Sequence, residues 1–214
     1  MSTPYTFISS ADNEEAWLAA RRNGIGASDA PTILGLNPYA LKQHGDLDGV
    51  LRNFALAPAF EGNAATEMGK RFAPVIAQWA GELYGLKLTR FEQMICNPET
   101  PWLFATPDYL RECDGYEDPA EIKMVSPFLK KAWSEKPPEY VACQVLVQQY
   151  TLGVRTGCAI PLVHGELPRV MEVTYDDDVI AGIIRELQPK WALIREMREE
   201  AESERAKSAE EAAE

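Results

Sequence analysis

Histidine is scarce in this chain, limited to His44 and His164, and the four cysteines form no CxxC pair. Zinc sites draw on clustered thiolates and imidazoles, so none is expected. Cys96, Cys113, Cys143 and Cys158 read instead as isolated, reduced thiols of a cytoplasmic protein. Long hydrophobic runs are missing too. Nothing approaches the roughly 18 consecutive apolar residues of a membrane span. The opening stretch, "MSTPYTFISSADNEEAW", lacks the basic-then-apolar order of a secretion signal. Positive charge is the third shortage. The formal net charge is −12, whereas a protein that grips phosphate ordinarily carries a basic surplus. That last exclusion is incomplete. Part of the excess lies in "REMREEAESERAKSAEEAAE" (195–214), and acids gathered around a divalent cation count as negative until the cation is present.

With 214 residues, 46% of them apolar, the chain can bury a substantial core. A single domain over residues 1–214 is expected, with an acidic, frayed helical tail from about residue 195. "NEEAWLAARRNG" predicts a short helix from Asn13 that ends near Asn23-Gly24. "GIGASDAPTILG" is a glycine-rich bend into a second helix, with Ser28 as its N-cap, Asp29 in its first turn and Gly35 as its stop. "TEMGKRFAPVIAQWAGELYG" has Met68, Phe72, Val75, Ile76 and Trp79 at the spacing of a helix with one buried stripe. Pro74 should kink that helix or mark its true start. After Gly85 come short segments rich in strand formers, "LKLTRFEQMIC", "WLFATPDYLREC" and "PAEIKMV", the last two joined by a "CDGY" hairpin turn. "PPEYVACQVLVQQYTLG" returns to helix, and "CAIPLVHGELPRVMEVTY" reads as two strands. A long helix opened by acids closes the chain, with Pro189 inside it. The fold class is α/β (α+β): a central mixed β-sheet flanked by helices.

The hairpin carries candidate chemistry. Alternate strand residues face one side, so Glu121 and Lys123 share a face while Ile122 points into the opposite layer. Asp108 lies on the partner strand, within reach of that face if the register pairs them. Converging carboxylates repel unless a cation joins them, and hard oxygen ligands select Mg²⁺, with Mn²⁺ as a substitute. The Ile122 backbone carbonyl could add a further oxygen. Lys123 would then stabilise developing charge or position the nucleophile. On spacing alone, a salt-bridged exposed hairpin accounts for the same residues.

Pro107-Asp108 followed by Glu121-Ile122-Lys123 resembles the PD-(D/E)XK nuclease motif. "AWLAARRNGIGASDAPTILGLNPY" resembles the opening of the lambda-type exonucleases, the YqaJ-like viral recombinase family. "MGKRFAPVIAQWAGELYG" and "EYVACQVLVQQYTLG" resemble that family's next helix and its glutamine-bearing helix. The motifs run in the family's order from Trp17 to Gly153. The resemblance implies a PD-(D/E)XK core and a Mg²⁺-dependent 5′-to-3′ exonuclease of double-stranded DNA ends. Such an enzyme leaves a 3′ single strand for a single-strand annealing protein, works as a trimeric ring, and belongs to a phage or prophage in a bacterial cytoplasm. By position, Asp108 and Glu121 would be metal ligands, Lys123 the catalytic lysine and Gln144 the glutamine near the site. Arg21 and Ser28 would hold the 5′ phosphate, and an arginine, a hydroxyl and free N–H groups at a helix start do suit an anion.

One position departs from the family. Ala73 stands just before Pro74, where the family carries a metal-ligand glutamate, and a methyl cannot ligate a cation. Either the ligand has been lost naturally or the glutamate was deliberately substituted; the family-like residues around Ala73 favour the latter, and an impaired or inactive enzyme is expected. Gln148 and Gln149 are expected at the surface or an interface, and Trp79, Trp133 and Trp191 in the core or a subunit contact. Two other classes of function remain: a non-catalytic DNA-end-binding module on the same fold, and an acidic interaction protein with no role on DNA.

Overall fold

The computed structural model describes residues 5–10, 14–58 and 62–211. Strand β1 (Thr6–Ser10) and helix α1 (Glu14–Arg21) are followed by β2 (Ile25–Gly26) and three helices, α2 (Ala30–Ile33), α3 (Pro38–His44) and α4 (Leu47–Leu56). The long α5 (Ala64–Tyr84) precedes five strands: β3 (Leu88–Arg90), β4 (Gln93–Cys96), β5 (Leu103–Ala105), β6 (Tyr109–Cys113) and β7 (Tyr116–Val125). A 3-10 helix (Pro127–Trp133), α6 (Glu139–Leu152), β8 (Cys158–Val163), β9 (Met171–Glu172) and α7 (Asp177–Glu211) complete the order. The Asn13 start expected for the first helix lies outside the described residues, as do residues 212–214 of the tail. No helix among the described residues is long and apolar enough to cross a membrane.

The strands form two sheets rather than the one expected: β1-β4-β5-β2 and β3-β6-β7-β8-β9. The seam falls at Thr106-Pro107, between β5 and β6, and proline there has no N–H for a ladder. The expected hairpin forms. Gly115, at φ +91, supplies the positive-φ position of the turn, and Tyr109 pairs with Ala120, Leu110 with Pro119 and Arg111 with Asp118. On its other side β7 runs parallel to β8, from Ala120 opposite Cys158 to Val125 opposite Val163. The two ladders overlap at Ala120, beyond which the Asp108 side chain takes the place of β6; helices cover both faces, and Ala120, Glu121 and Ile122 are buried. Across this sheet Arg111 makes a bidentate contact with Asp118, at 2.9 and 2.7 Å. It also bonds Glu172 on β9 at 2.5 and 2.9 Å.

Helix α5 covers the face that carries Ile122. Ile76, Ala77 and Ala80 pack with Tyr109, Ala120, Ile122, Cys158 and Ile160. The helix begins at a capping box. The Asn63 side chain accepts from Ala65 and Thr66 N–H, and Thr66 Oγ1 accepts from Asn63 N–H. Pro74 therefore does not mark the start; it lies inside the helix on its exposed side. The expected buried stripe is corrected as well. Ile76 is buried, but Met68, Phe72, Val75 and Trp79 are exposed. Small alanines allow close approach to the sheet, so the larger side chains of the same helix face outward.

Helix α6 covers the opposite face. It carries no charged residue between Glu139 and Arg155 and is buried nearly all round. Gln148 and Gln149, expected at the surface or an interface, are both fully buried within the chain. Trp133 and Trp191 lie in the core. Helix α7 buries Ile180, Ile183, Leu187, Trp191 and Ile194 at helical spacing and packs against α4 in one large cluster. Arg198 donates to the Phe54 and Ala55 carbonyls at the end of α4, satisfying groups that a helix terminus leaves open. Beyond Ala201 the helix is exposed.

Candidate active site

Asp108 sits at the seam between the sheets, one residue before β6, and its position follows from the register that pairs Tyr109 with Ala120. Its Oδ2 accepts from the Ile122 N–H at 2.9 Å, and its backbone carbonyl accepts from Phe91 N–H at 3.1 Å. Burial pushes its carboxyl up to about 7, and the nearby Glu121 carboxylate pushes the same way against Lys123, the Ile122 N–H and Arg90.

Glu121 faces the α6 side of β7. It is buried, and three donors hold it: Lys123 Nζ at 2.6 Å and Gln144 Nε2 at 2.7 Å on Oε1, and Gln148 Nε2 at 2.7 Å on Oε2. Burial alone would lower the Lys123 ammonium, but the Glu121 and Asp108 carboxylates outweigh it and hold it above its ordinary value. Lys123 is thus a fixed cation. The side chain of Ile122 points to α5, as the strand alternation required.

These residues open into one cleft of ≈ 780 Å³, which also takes in Arg21, Ser28, Ala73, Thr106 and Met124. Every candidate residue of the sequence reading lines it. Ala73 projects from α5, partly buried against the apolar layer around Ile122. Arg21 ends α1 and donates to Asp29 at 2.8 Å, with its guanidinium 4.9 Å from the centre of the Trp17 ring. Ser28 is exposed and is not the N-cap. Asp29 occupies that position, makes no side-chain capping bond, and binds Arg21 instead. Glycine brings this segment close to β5: a side chain at Gly24 would meet the Trp102 carbonyl at 2.3 Å.

Gln148 is a site residue that sequence reasoning missed. The signal was present, since "VACQVLVQQYTLG" has no charge to mark a solvent face, and glutamines in such a run need buried partners.

The residues that could hold a divalent cation are few. Among the described residues no three His, Cys, Asp or Glu side chains cluster for a metal, so the protein offers the Asp108 and Glu121 carboxylates and the Ile122 carbonyl. Mg²⁺ is typically held by one or two carboxylates with water and phosphate oxygens completing the shell.

Residues 16–159 match the model of the YqaJ-like viral recombinase domain. The uncharacterised protein YqaJ of Bacillus subtilis (strain 168) is 29% identical over 181 residues, covering 81% of this chain and 54% of that protein. The chain therefore spans about half the length of that relative. The alkaline exonuclease LHK-Exo of Laribacter hongkongensis superposes with a TM-score of 0.68 at 20% identity, over 90% of this chain and 98% of that one. A phage-related exonuclease of Haemophilus somnus 129PT gives 0.62 at 15% identity, over 85% and 96%. The fold is thus the mixed α/β nuclease fold of these exonucleases, and the chain belongs to the YqaJ-like viral recombinase domain family.

Proposed function

We propose that this chain is a Mg²⁺-dependent, lambda-type exonuclease that degrades double-stranded DNA from the 5′ end and leaves 3′ single strands for an annealing protein in phage recombination. The observation that carries the reading is the meeting of Asp108, Glu121 and Lys123 in one cleft. Asp108, Glu121 and the Ile122 carbonyl would hold Mg²⁺, with Mn²⁺ as a substitute. When bound, the cation supplies Lewis-acid polarisation of the scissile phosphodiester. Lys123 offers a fixed positive charge to the charge that develops on phosphate. Gln144 steadies Glu121. Arg21 spends one donor on Asp29 and keeps others for a 5′ phosphate, with the exposed Ser28 hydroxyl beside it in the cleft.

Ala73 favours a second reading, a DNA-end-binding module with little catalysis. Its methyl faces the cleft where a glutamate would add a third carboxylate. The two readings are separated by linear duplex DNA incubated with Mg²⁺ and either this chain or its Ala73→Glu variant. The variant should cut at least about 100-fold faster, the scale of one lost electrostatic group in a catalytic site, with DNA affinity little changed. It should melt lower without metal, because a third carboxylate adds repulsion. Equal, vigorous cleavage by both would remove the helix carboxylate from the mechanism.

A homo-oligomer, by family resemblance a trimeric ring, is part of the proposal. Met68, Phe72, Val75, Trp79 and Leu83 form an exposed apolar line along α5, which a second copy of the chain would cover. A ring also lets a chain of net charge −12 gather its basic residues around the DNA path and turn its acids outward.

A further inference from the structure

Glu121 has two carboxylate oxygens, and its donors are not shared equally between them. Lys123 and Gln144 both donate to Oε1, whereas among the described residues Gln148 alone donates to Oε2. Gln144 and Gln148 lie one helical turn apart, so both amides rise from the same face of α6 and close on the carboxylate together. The Gln148 amide cannot be turned over, since its oxygen would then face a carboxylate oxygen. In the orientation it keeps, Gln148 Oε1 is buried without a hydrogen-bond partner among the described residues. An unsatisfied buried acceptor is destabilising, so the orientation of this amide is dictated by Glu121.

We infer that Gln148 is a positioning residue, which presets the Glu121 carboxylate for a divalent cation through its hydrogen bond to Oε2. The inference rests on the proposed reading of Asp108 and Glu121 as cation ligands. Outer partners that orient a metal ligand are typically worth roughly 10–100-fold in metal affinity, and loss of the Gln148 donor frees one end of the carboxylate to rotate.

The test is Mn²⁺ binding measured by electron paramagnetic resonance on the unaltered chain and on the Asp108→Ala, Glu121→Ala and Gln148→Met variants, with a melting curve for each. Methionine keeps the length and buries well but lacks the donor. Gln148→Met is expected to weaken Mn²⁺ by roughly 10-fold or more while remaining folded. If the Asp108 and Glu121 variants lose Mn²⁺ and Gln148→Met keeps it within about twofold, well inside that range, the Gln148 inference alone falls. If all three bind as the unaltered chain does, the cation site falls and the inference with it. A second readout needs no variant. The Gln148 side-chain amide protons, observed by NMR in the unaltered chain, should shift on titration with Mg²⁺, and their constancy through the titration would overturn the inference.

Discussion

The Ile122 N–H donates to Asp108 Oδ2 at 2.9 Å, tying the acid that precedes β6 to the strand that bears Glu121. Asp108 is therefore held in place by the protein itself, at the cost of a poorly solvated carboxylate. Its carboxyl rises from the ordinary 3.8 to about 7. Between those values the folded chain keeps a proton that the unfolded chain has released, so metal-free stability falls as pH rises from about 4 to about 7. Melting without metal should occur at higher temperature at pH 5 than at pH 8, and Asp108→Asn should flatten that difference. Cation affinity should rise across the same window, because the proton must leave before the metal binds. An identical pH slope in both proteins would exclude Asp108 as its source.

Arg21→Ala should weaken binding to 5′-phosphorylated duplex ends by about 1.5–3 kcal/mol, the worth of a hydrogen bond to a charged group. Binding to 5′-hydroxyl ends should change less. Filter binding with both ends decides the matter, and equal losses would assign Arg21 to the general backbone.

Arg111 is the partner of Asp118, which is completely buried. Arg111→Met should destabilise the fold by about 3–5 kcal/mol, since one unpaired charge then remains inside. Urea denaturation measures it. A loss below about 1 kcal/mol, the scale of an exposed pair, would mean that water reaches Asp118 in the variant.

Val75 is 56% exposed on α5, so Val75→Glu should leave the monomer's stability unchanged. If the α5 face joins copies of the chain, sedimentation velocity should find this variant reduced to monomer and the unaltered chain as a closed oligomer. A variant that sediments like the unaltered chain would place the contact elsewhere.

The hairpin was legible because its signals are local: an Asp-Gly turn, strand alternation, and a register that places Asp108 beside Glu121 and Ile122. Helix α5 was legible as a helix but not in its orientation. Periodicity weighted the large side chains, whereas the sheet selected Ala77 and Ala80 as well as Ile76. The division into two sheets was not legible, because β2 contains two residues and depends on β5, a partner distant in sequence. Ser28 was read as a cap from its type, yet the chain turns one residue later and Asp29 serves the arginine rather than the helix. Gln148 was hidden because glutamine is ordinarily a surface residue; burial beside a carboxylate reverses that preference.

Strand β7 is laddered by β6 up to Ala120 and by β8 from Ala120 to Val125, whereas β2 pairs with β5 over two residues, Ile25 and Gly26. In hydrogen exchange, the amides of Glu121, Ile122 and Lys123 should open only when the whole molecule unfolds, while those around Ser28 open through local fluctuations. Under the proposed function, warming would therefore loosen the hold on a DNA end well before it disturbs Asp108 and Glu121. Heat loss of function would appear first as a weakened grip.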